Sequence, residues 1–407
     1  MTGLRAAIIG CGTAGAASAL FLARAGHAVT LYEAVTDPGP VGAGIMLQPT
    51  GQAVLARLGL LPQILRQGAR IAHLHCVTEN GATLLDLHYA DVDPRLFGIG
   101  LHRGALFDAL YQAVRAQPGV DVQLGVTIAA LQTDGKRWLV DGRGLRHGPF
   151  DLVVVADGAG NDLRDDKPLG RSAKAYPWGA LWWVAPDPQQ VFGDQLFQVV
   201  GGAHTMLGLL PTGLSPHNPV VPAVSLFWSI RADRVDDFRR ANLEDWKRRI
   251  VDLEPRAQAV VAGLSDPKQL LFAKYRDVVM PRWHSTDTVW LGDAAHAMSP
   301  QLGQGANLAL VDAATLCDCL ASQRNVAASL ACYTWTRRSH LNFYQWATRG
   351  LTPFFQSDST LLPWLRDTLM PIAGRVPWLR RRMVRSMVGA ERSWLLGKPL
   401  PLPQLQG

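Results

Sequence analysis

The sequence predicts an α/β fold in which a mostly parallel, doubly wound sheet is joined by a second domain built on a mostly antiparallel sheet. Three apolar runs of strand length, residues 4–9, 152–156 and 288–291, predict the parallel sheet, because strands buried on both faces lose polar alternation. Between residues 172 and 271 the composition changes to short strands rich in Trp and Pro around one helix near 243–253. This change predicts the second domain.

The first apolar run leads into Gly10-Cys11-Gly12-Thr13-Ala14-Gly15, a complete G-x-G-x-x-G. A helical segment follows, and a second strand then ends at Glu33. Gly10 permits the turn, Gly12 lets the backbone approach a pyrophosphate, and Gly15 lets helix and strand pack closely. Because Glu33 can accept hydrogen bonds from ribose hydroxyls, this βαβ unit predicts a dinucleotide site rather than a structural turn.

The other two apolar runs end in acidic turns, Asp157-Gly158 and Gly292-Asp293. Ligands of a doubly wound sheet lie across the carboxyl ends of its strands, so the three strand ends are expected to meet at one cofactor. Either aspartate would bind ribityl or ribose hydroxyls, or act through water on the pyrophosphate. A turn or capping aspartate is the alternative at both positions.

A long helix, residues 306–320, begins after Gly303 and Gly305. Its first N–H groups and the positive end of its dipole would stabilise the anionic N1 and O2 region of a reduced flavin. A nicotinamide carries no such charge, so this helix favours a flavin.

Two earlier segments fit the same cofactor. Gly42 and Gly44 allow close backbone approach to a flat ligand, although a plain mobile loop has the same composition. Arg103 precedes a helix over 105–115, where a cation gains nothing from the dipole. A ligand phosphate would explain its position; a solvated surface arginine is the alternative.

With these motifs, and with His296 and Pro300 after the third strand, the chain resembles the single-component flavoprotein aromatic hydroxylases, typified by para-hydroxybenzoate hydroxylase and salicylate hydroxylase. The resemblance covers roughly residues 4–350 and implies a Rossmann-like FAD domain of the glutathione-reductase type. The family's middle motif departs here, since Asn161 stands in place of a serine before Arg164. The cofactor-binding residues that follow from the motifs and the resemblance are Gly10, Gly12, Thr13, Ala14, Gly15, Glu33, Gly44, Ile45, Arg103, Val126, Asp157, Gly158, Gly292, Asp293, Pro300, Gly303, Gly305, Ala306 and Asn307.

The resemblance also implies the chemistry. FAD is tightly but non-covalently bound, NAD(P)H reduces it, O2 is the co-substrate, and a C4a-hydroperoxyflavin hydroxylates a small aromatic or heteroaromatic substrate. Epoxidation, decarboxylating hydroxylation and a flavin-bound redox sensor remain alternatives. A halogenase is disfavoured, because no lysine precedes Lys136 and the Trp-x-Trp-x-Ile-Pro signature is missing.

Residues 195–230 lack charged side chains and, with 175–186, predict a dry wall facing the flavin. Strand alternation would place some of the following on the pocket side: Trp183, Phe197, Val199, Met206, Leu210 and Phe227. Candidate substrate-orienting residues are Gln48, Trp183, Gln198, His204 and Pro300, and His204 would assist phenol deprotonation. A satisfied structural polar residue is the alternative for each polar candidate, and no catalytic base is singled out.

The domain assignment follows from this order. Residues 1–72, 88–171 and 272–350 form the FAD-binding domain, 73–87 and 172–271 the substrate domain, and 351–407 a C-terminal helical segment with a basic tail. We expect a monomer or a homodimer.

The composition and the positions of the cysteines argue against a secreted protein and against a cysteine metal site. The chain has 407 residues, 48% hydrophobic, and its first strand begins too early for a signal peptide. Five scattered cysteines suit a reducing cytoplasm, and Cys317 and Cys319 would point to different faces of a helix, so no metal site is predicted.

The net charge of +7 is concentrated in the tail, since seven cationic residues and one anionic residue lie between positions 375 and 398. This distribution does not indicate nucleic-acid binding. Leu379, Met383, Val384, Met387 and Val388 line one side of a helix there, opposite several arginines. The helix either lies on a membrane surface or docks on the protein itself.

Overall fold

The computed structural model describes residues 3–160, 163, 172–393 and 400–401. The strands are β1 (Arg5–Ile9), β2 (Ala28–Glu33), β3 (Gly44–Leu47), β4 (Ala69–Ile71), β5 (His73–Thr78), β6 (Thr83–His88), β7 (Gly98–His102), β8 (Val120–Leu124), β9 (Ile128–Asp134), β10 (Lys136–Asp141), β11 (Arg146–Phe150), β12 (Leu152–Val155), β13 (Ser172–Pro186), β14 (Gln195–Gly201), β15 (Thr205–Ser215), β16 (Asn218–Arg231), β17 (Leu271–Val279) and β18 (Thr288–Trp290). The helices are α1 (Thr13–Arg24), α2 (Pro49–Arg57), α3 (Leu61–Gln67), α4 (Arg103–Ala116), α5 (Val235–Arg240), α6 (Leu243–Leu253), α7 (Gln258–Ala262), α8 (Asp293–His296), α9 (Gly305–Ser322), α10 (Val326–Phe355), α11 (Leu361–Arg375) and α12 (Pro377–Val388).

The three apolar runs are adjacent strands of one parallel sheet. Its order is β18-β12-β1-β2-β8, and every pair in it is parallel. Residues Leu152–Val155 are wholly buried, which explains why this strand shows no polar alternation. Helix α1 packs against α4 and α9. The predicted α/β class is confirmed.

The second sheet has the order β17-β13-β16-β15-β14-β5-β6. In the described part of the chain its pairs are antiparallel except β14–β5. Strands β5 and β6 form a hairpin around Asn80-Gly81, with Gly81 at φ +78°. Strand β17 continues the sheet to Val279, past the boundary predicted at 271. The domain boundaries stay a prediction.

The two faces of this sheet have different coverings. On the outer face, defined by Trp183, Phe197 and Val199, the side chains pack with residues of α6 and α7. The inner face, defined by Trp182, Gln198 and Phe227, is turned toward a small antiparallel sheet of order β3-β7-β4. A Cβ on Gly100 of β7 would lie 1.9 Å from the Pro211 carbonyl oxygen, so the small sheet packs directly on β15.

The C-terminal helices close the molecule. Apolar residues of α12, Val384, Met387 and Val388, are buried with Leu87 and Tyr89 of the hairpin region. The Arg380 Nε atom lies 2.7 Å from Asp91 Oδ2. Helix α12 is therefore docked on the protein, which was the second of the two possibilities given for this helix. Within the described residues, we find no helix with the length and apolar character needed to span a membrane.

Candidate functional site

The three predicted motifs meet at one edge of the parallel sheet. Gly10 has φ +97°, and a Cβ there would lie 2.6 Å from the Ala156 carbonyl oxygen. Gly292, at φ +57°, would place a Cβ 3.1 Å from Ala14 Cβ and 3.4 Å from Ala309 Cβ. The first glycine thus lets the ends of β1 and β12 touch, and the second lets the end of β18 fit between α1 and α9.

Two helices begin at this edge with free N–H groups. In the part of the chain that the structure describes, neither α1 nor α9 has a side-chain cap or an acidic residue in its first turn. A Cβ on Gly12 would meet no described atom within 4 Å, and one on Gly305 would approach Asp293 Oδ1 only to 3.9 Å. Packing does not explain these two glycines, whereas an anionic ligand seated against both helix starts does.

Glu33 stabilises the glycine turn through hydrogen bonds. Its carboxylate accepts the Cys11 N–H over 2.8 Å and the Val35 N–H over 3.0 Å. The Val126 N–H donates to the Glu33 carbonyl oxygen over 2.9 Å. Glu33 and Val126 therefore lie side by side at the end of β2, where the ribose end of a dinucleotide would lie.

Arg103 is the first residue of α4 and is exposed. Its N–H donates to the Ala43 carbonyl oxygen over 2.8 Å, and its side chain runs along Gly42, where a Cβ would lie 3.0 Å from Arg103 Cδ. Within residues 3–160 and 172–393, no carboxylate forms an ion pair with Arg103. A cation held at a helix start without a protein anion suits a phosphate.

Asn307 joins β3 to the start of α9. Its Oδ1 atom accepts the Gln48 N–H over 2.8 Å, and its Nδ2 atom donates to the carbonyl oxygens of Met46 (3.1 Å) and Gly303 (3.2 Å). The side chain is fully buried and used within the chain, so Asn307 positions the α9 turn. Around this turn Asp293, Pro300 and Gly305 are exposed.

The inner face of the large sheet carries an aromatic surface. Strand register aligns Gln198, Gly208, Phe227 and Trp182 across four strands, so their side chains share one face. The rings of Trp182 and Phe227 have centroids 5.2 Å apart. A Cβ on Gly208 would lie 1.9 Å from Phe227 Cε1, which shows that this ring lies over the glycine.

This aromatic surface is partly open to solvent. Along β16, Ser225 contacts Gly44 of the small sheet, while the Ser229 hydroxyl oxygen lies 2.7 Å from Gln356 Nε2, just after α10. Phe227 lies between them and is only half-buried, as are Trp182 and Gln198, although all three belong to central strands. The partly exposed part of the surface therefore lies between the small sheet and the end of α10.

Tyr275 adds a hydroxyl to this surface. Burial raises the pKa of Tyr275 to about 12, partly offset by a hydrogen bond with Trp182. The phenol is therefore neutral near pH 7, and its hydroxyl can donate and accept hydrogen bonds. Neither Trp182 nor Tyr275 was among the residues predicted from the sequence.

Several predicted pocket residues lie elsewhere. Trp183 is on the outer face, where its indole N–H donates to the Val260 carbonyl oxygen over 2.8 Å, and Phe197 and Val199 share that face. A one-residue change of register reverses every side chain of a strand, which is why alternation alone did not decide this. Leu210 lies on the inner face with Phe227, whereas Met206, on the same face, packs with Phe355.

The three polar residues predicted to orient the substrate lie in different places. His204 is exposed in the β14–β15 turn with Nδ1 3.4 Å from the Ser357 carbonyl oxygen, so it does not reach the aromatic surface. Gln48 is buried, and its side-chain oxygen accepts a hydrogen bond from the Tyr89 hydroxyl, as a structural polar residue does. Gln198 lies on the inner face. Asn161 and Arg164 lie outside the described residues.

A buried polar network holds the turn that follows β18. Asp312 of α9 accepts the Gly292 N–H (2.9 Å) and contacts His296 Nε2 (2.6 Å) and Arg337 Nε (2.7 Å). Burial alone would raise the pKa of Asp312, but the interactions with His296, Arg337 and the Gly292 N–H hold it well below its usual value. Arg337 also contacts His340 Nδ1, whose Nε2 lies 2.8 Å from the Gly389 carbonyl oxygen. Sequence reasoning missed this network, although an aspartate in an apolar helix was a usable signal.

Residues 4–342 match the family model described as FAD binding domain. The chain belongs to this FAD-binding family. Among its relatives are a probable 2-heptyl-3-hydroxy-4(1H)-quinolone synthase of Rhodococcus erythropolis, 27% identical over 83% of this chain and 84% of that protein, and a 6-hydroxynicotinate 3-monooxygenase of Pseudomonas fluorescens, 26% identical over 78% and 82%. A solved structure of 2-methyl-3-hydroxypyridine-5-carboxylic acid oxygenase, in a tetrameric form, matches with a TM-score of 0.72 and 24% identity over 86% of this chain and 93% of that one.

These comparisons confirm the resemblance drawn from the three motifs, the FAD cofactor and the oxidoreductase class. The donor set fits that cofactor: free helix N–H groups and an unpaired arginine for phosphates, and carboxylates for hydroxyls. The assignment of each residue to a part of FAD and the oligomeric state stay predictions.

Proposed function

We propose that this protein is an NAD(P)H-dependent FAD monooxygenase that hydroxylates a small aromatic ring, most favourably a nitrogen heteroaromatic one. The observation that carries the proposal is the half-buried aromatic surface of Trp182, Phe227 and Tyr275, which faces β3 in a domain built to bind FAD. The names of the two relatives describe a quinolone and a hydroxynicotinate, both nitrogen heterocycles.

The cofactor residues have distinct roles in this proposal. The N–H groups at the start of α1 and the side chain of Arg103 hold the pyrophosphate, and Glu33 holds the adenosine ribose. Asp293 holds the ribityl chain or the pyrophosphate. Pro300 and the backbone of residues 303–306 lie against the flavin ring, where the start of α9 supplies positive potential. Bound FAD supplies acceptance of hydride from NAD(P)H and activation of O2 for transfer of one oxygen atom.

The substrate surface suits a planar ring. A flat substrate stacks on Phe227 and Trp182 at the 4.5–7 Å centroid distances of aromatic pairs. The Gln198 amide, which can both donate and accept, and the neutral Tyr275 hydroxyl orient its polar substituents. Leu196, Leu210, Met46 and Ile71 form an adjoining apolar cluster that keeps water out. Exclusion of water directs the activated oxygen to the ring instead of to hydrogen peroxide.

The test uses the purified holoenzyme with hydroxyquinolines, hydroxypyridine carboxylates, phenols and benzoates, each assayed with NADH and NADPH. We expect at least one heteroaromatic compound to stimulate NAD(P)H oxidation about tenfold or more, with one atom from ¹⁸O₂ in the product. A flavin-loaded protein whose NAD(P)H oxidation responds to no compound, and which forms no oxygenated product, would instead support the flavin-bound redox sensor.

A further inference from the structure

Three metal-ligating side chains meet on the hairpin at the edge of the large sheet. His73 of β5 is paired in register with His88 of β6, and Asp86 precedes His88 by two residues, so all three side chains share one face. The next residue of β5 on that face, His75, contacts the Phe197 ring, which identifies the face as the outer one. The cluster is therefore on the opposite side of the sheet from the aromatic surface.

The distances among the three ligand atoms suit one metal ion. His73 Nδ1 and His88 Nε2 are 3.3 Å apart, His88 Nε2 and Asp86 Oδ1 are 3.1 Å apart, and His73 Nδ1 and Asp86 Oδ1 are 3.7 Å apart. A tetrahedral Zn²⁺ with bonds of 2.0–2.2 Å separates its ligand atoms by about 3.3–3.6 Å. One ion can thus lie about 2 Å from all three atoms without movement of the backbone.

We propose that His73, Asp86 and His88 form a Zn²⁺ site on the β5–β6 hairpin. Two imidazole nitrogens and one carboxylate favour zinc over Mg²⁺ or Ca²⁺, which prefer oxygen ligands. The side chains are 23%, 45% and 37% exposed in that order, so an ion can enter and water completes the fourth position. Without metal, His73 Nδ1 lies 3.2 Å from His88 Nδ1 and 3.3 Å from His88 Nε2, beside the carboxylate.

The site would stabilise the edge of the sheet. Strand β6 is the last strand of the sheet, and its residue Leu87 packs together with the following Tyr89 against α12. An ion bound by both strands ties β6 to β5 and so stabilises this docking. Since the ligands lie on the outer face, the ion contributes to stability and takes no part in turnover.

The experiment uses untagged holoenzyme stripped of metal with EDTA and titrated with Zn²⁺ in competition with a chromophoric chelator. We expect one equivalent of Zn²⁺ to bind and to raise the thermal midpoint, whereas Mg²⁺ does neither. His88→Ala and Asp86→Asn should each weaken Zn²⁺ binding about tenfold or more while retaining the bound-flavin absorbance that reports folding. His204→Ala, which removes an exposed histidine of the same sheet, is the matched control and should bind as wild type does.

A double variant gives an independent readout. The proposal is overturned if a His73→Ala, His88→Ala double variant with full flavin absorbance binds Zn²⁺ as tightly as wild type. It is equally overturned if Zn²⁺ raises the thermal midpoint of that double variant by the same amount.

Discussion

The backbone N–H of Gly292 donates to the carboxylate of Asp312 over 2.9 Å, and both residues are buried. Gly292 lies between β18 and α8, and Asp312 lies two turns inside α9, the helix whose start faces the same edge of the sheet. The turn that carries Asp293 is thereby held in a fixed position relative to the helix that carries Gly305. Arg337 and His296 complete the hydrogen bonding of the carboxylate.

Replacing Asp312 by Ala should destabilise the protein strongly. The Arg337 side chain, 2% exposed, would be left as a buried charge without its carboxylate. Breaking such a pair costs about 3–5 kcal/mol. Urea unfolding followed by circular dichroism measures the change. Asp318→Ala on the same helix is the control, because its pair with Arg57 is exposed and should contribute no more than about 1 kcal/mol. Equal losses in the two variants would contradict the role assigned to the buried network.

Stability should fall as the pH drops below about 6.5, and His340 should account for part of the fall. Burial, followed by the charge of Arg337, holds the pKa of His340 well below its usual value, so the folded protein keeps this ring neutral. Below about pH 6.5 the unfolded chain binds a proton that the folded chain does not. The unfolding free energy therefore decreases with falling pH, by at most about 1.4 kcal/mol per pH unit for this residue.

The variant His340→Gln tests this assignment, because a glutamine can still accept from Arg337 and donate to the Gly389 carbonyl oxygen. Its unfolding free energy, measured by urea titration from pH 7.5 to 5, should vary less with pH than that of wild type. An unchanged slope would assign the dependence to other histidines.

Two glycines of the first motif should respond oppositely to substitution. Gly12 is extended and faces open space, and serine is a favourable N-cap, so Gly12→Ser should leave the unfolding free energy of the apoprotein unchanged or raised. The new side chain projects where the pyrophosphate is proposed to lie, so FAD affinity should fall roughly tenfold, about 1.4 kcal/mol. Flavin fluorescence titration measures this loss.

Gly15 provides the contrast. A Cβ on Gly15 would lie 1.9 Å from the Gly10 carbonyl oxygen, so Gly15→Ala should destabilise the apoprotein itself by about 1–3 kcal/mol. An apoprotein as stable as wild type would show that the α1 turn adjusts to the added methyl group. Unchanged FAD affinity in Gly12→Ser would remove the pyrophosphate from this turn.

Adjacent tryptophans should give different phenotypes. Trp182→Ala removes part of the proposed substrate surface, so with a substrate from the screen it should raise KM about 3- to 10-fold, as expected for the loss of 0.5–1.5 kcal/mol of stacking, and increase peroxide release. Trp183→Ala should leave the ratio of product to peroxide near that of wild type. It should lower the unfolding free energy by about 2–3 kcal/mol, because Trp183 packs on the outer face and donates to Val260. The reverse pattern would place the substrate on the other face of the sheet.

Local features of the chain were sufficient for the parallel sheet and its cofactor edge. The run Leu152–Val155 is buried on both faces, so its apolar sequence alone identifies it as a central strand. Gly10 and Gly292 have backbone conformations that favour glycine, so these two residues identify the turns at the strand ends. The helix predicted over 243–253 is α6, with the same bounds. The family resemblance rested on these same features.

The inner surface and the metal cluster could not be predicted in this way. From composition alone, either Trp182 or Trp183 could belong to the inner surface. Only the pairing of Trp182 with Phe227 across the sheet decides between them. His73 and His88 meet only because β5 and β6 pair in one register. Asp312 and Arg337 come together through the packing of α9 on α10.

The sequence by itself determined the edge of the parallel sheet where the three motifs meet, because the turn glycines, the strand-end acids and the helix starts act through backbone conformation that is set within a few residues. Tertiary structure alone decided which side chains face the flavin domain and which ligating groups converge. Strand register and helix packing depend on contacts between residues far apart in the chain, and a shift of one residue in a strand exchanges its two faces.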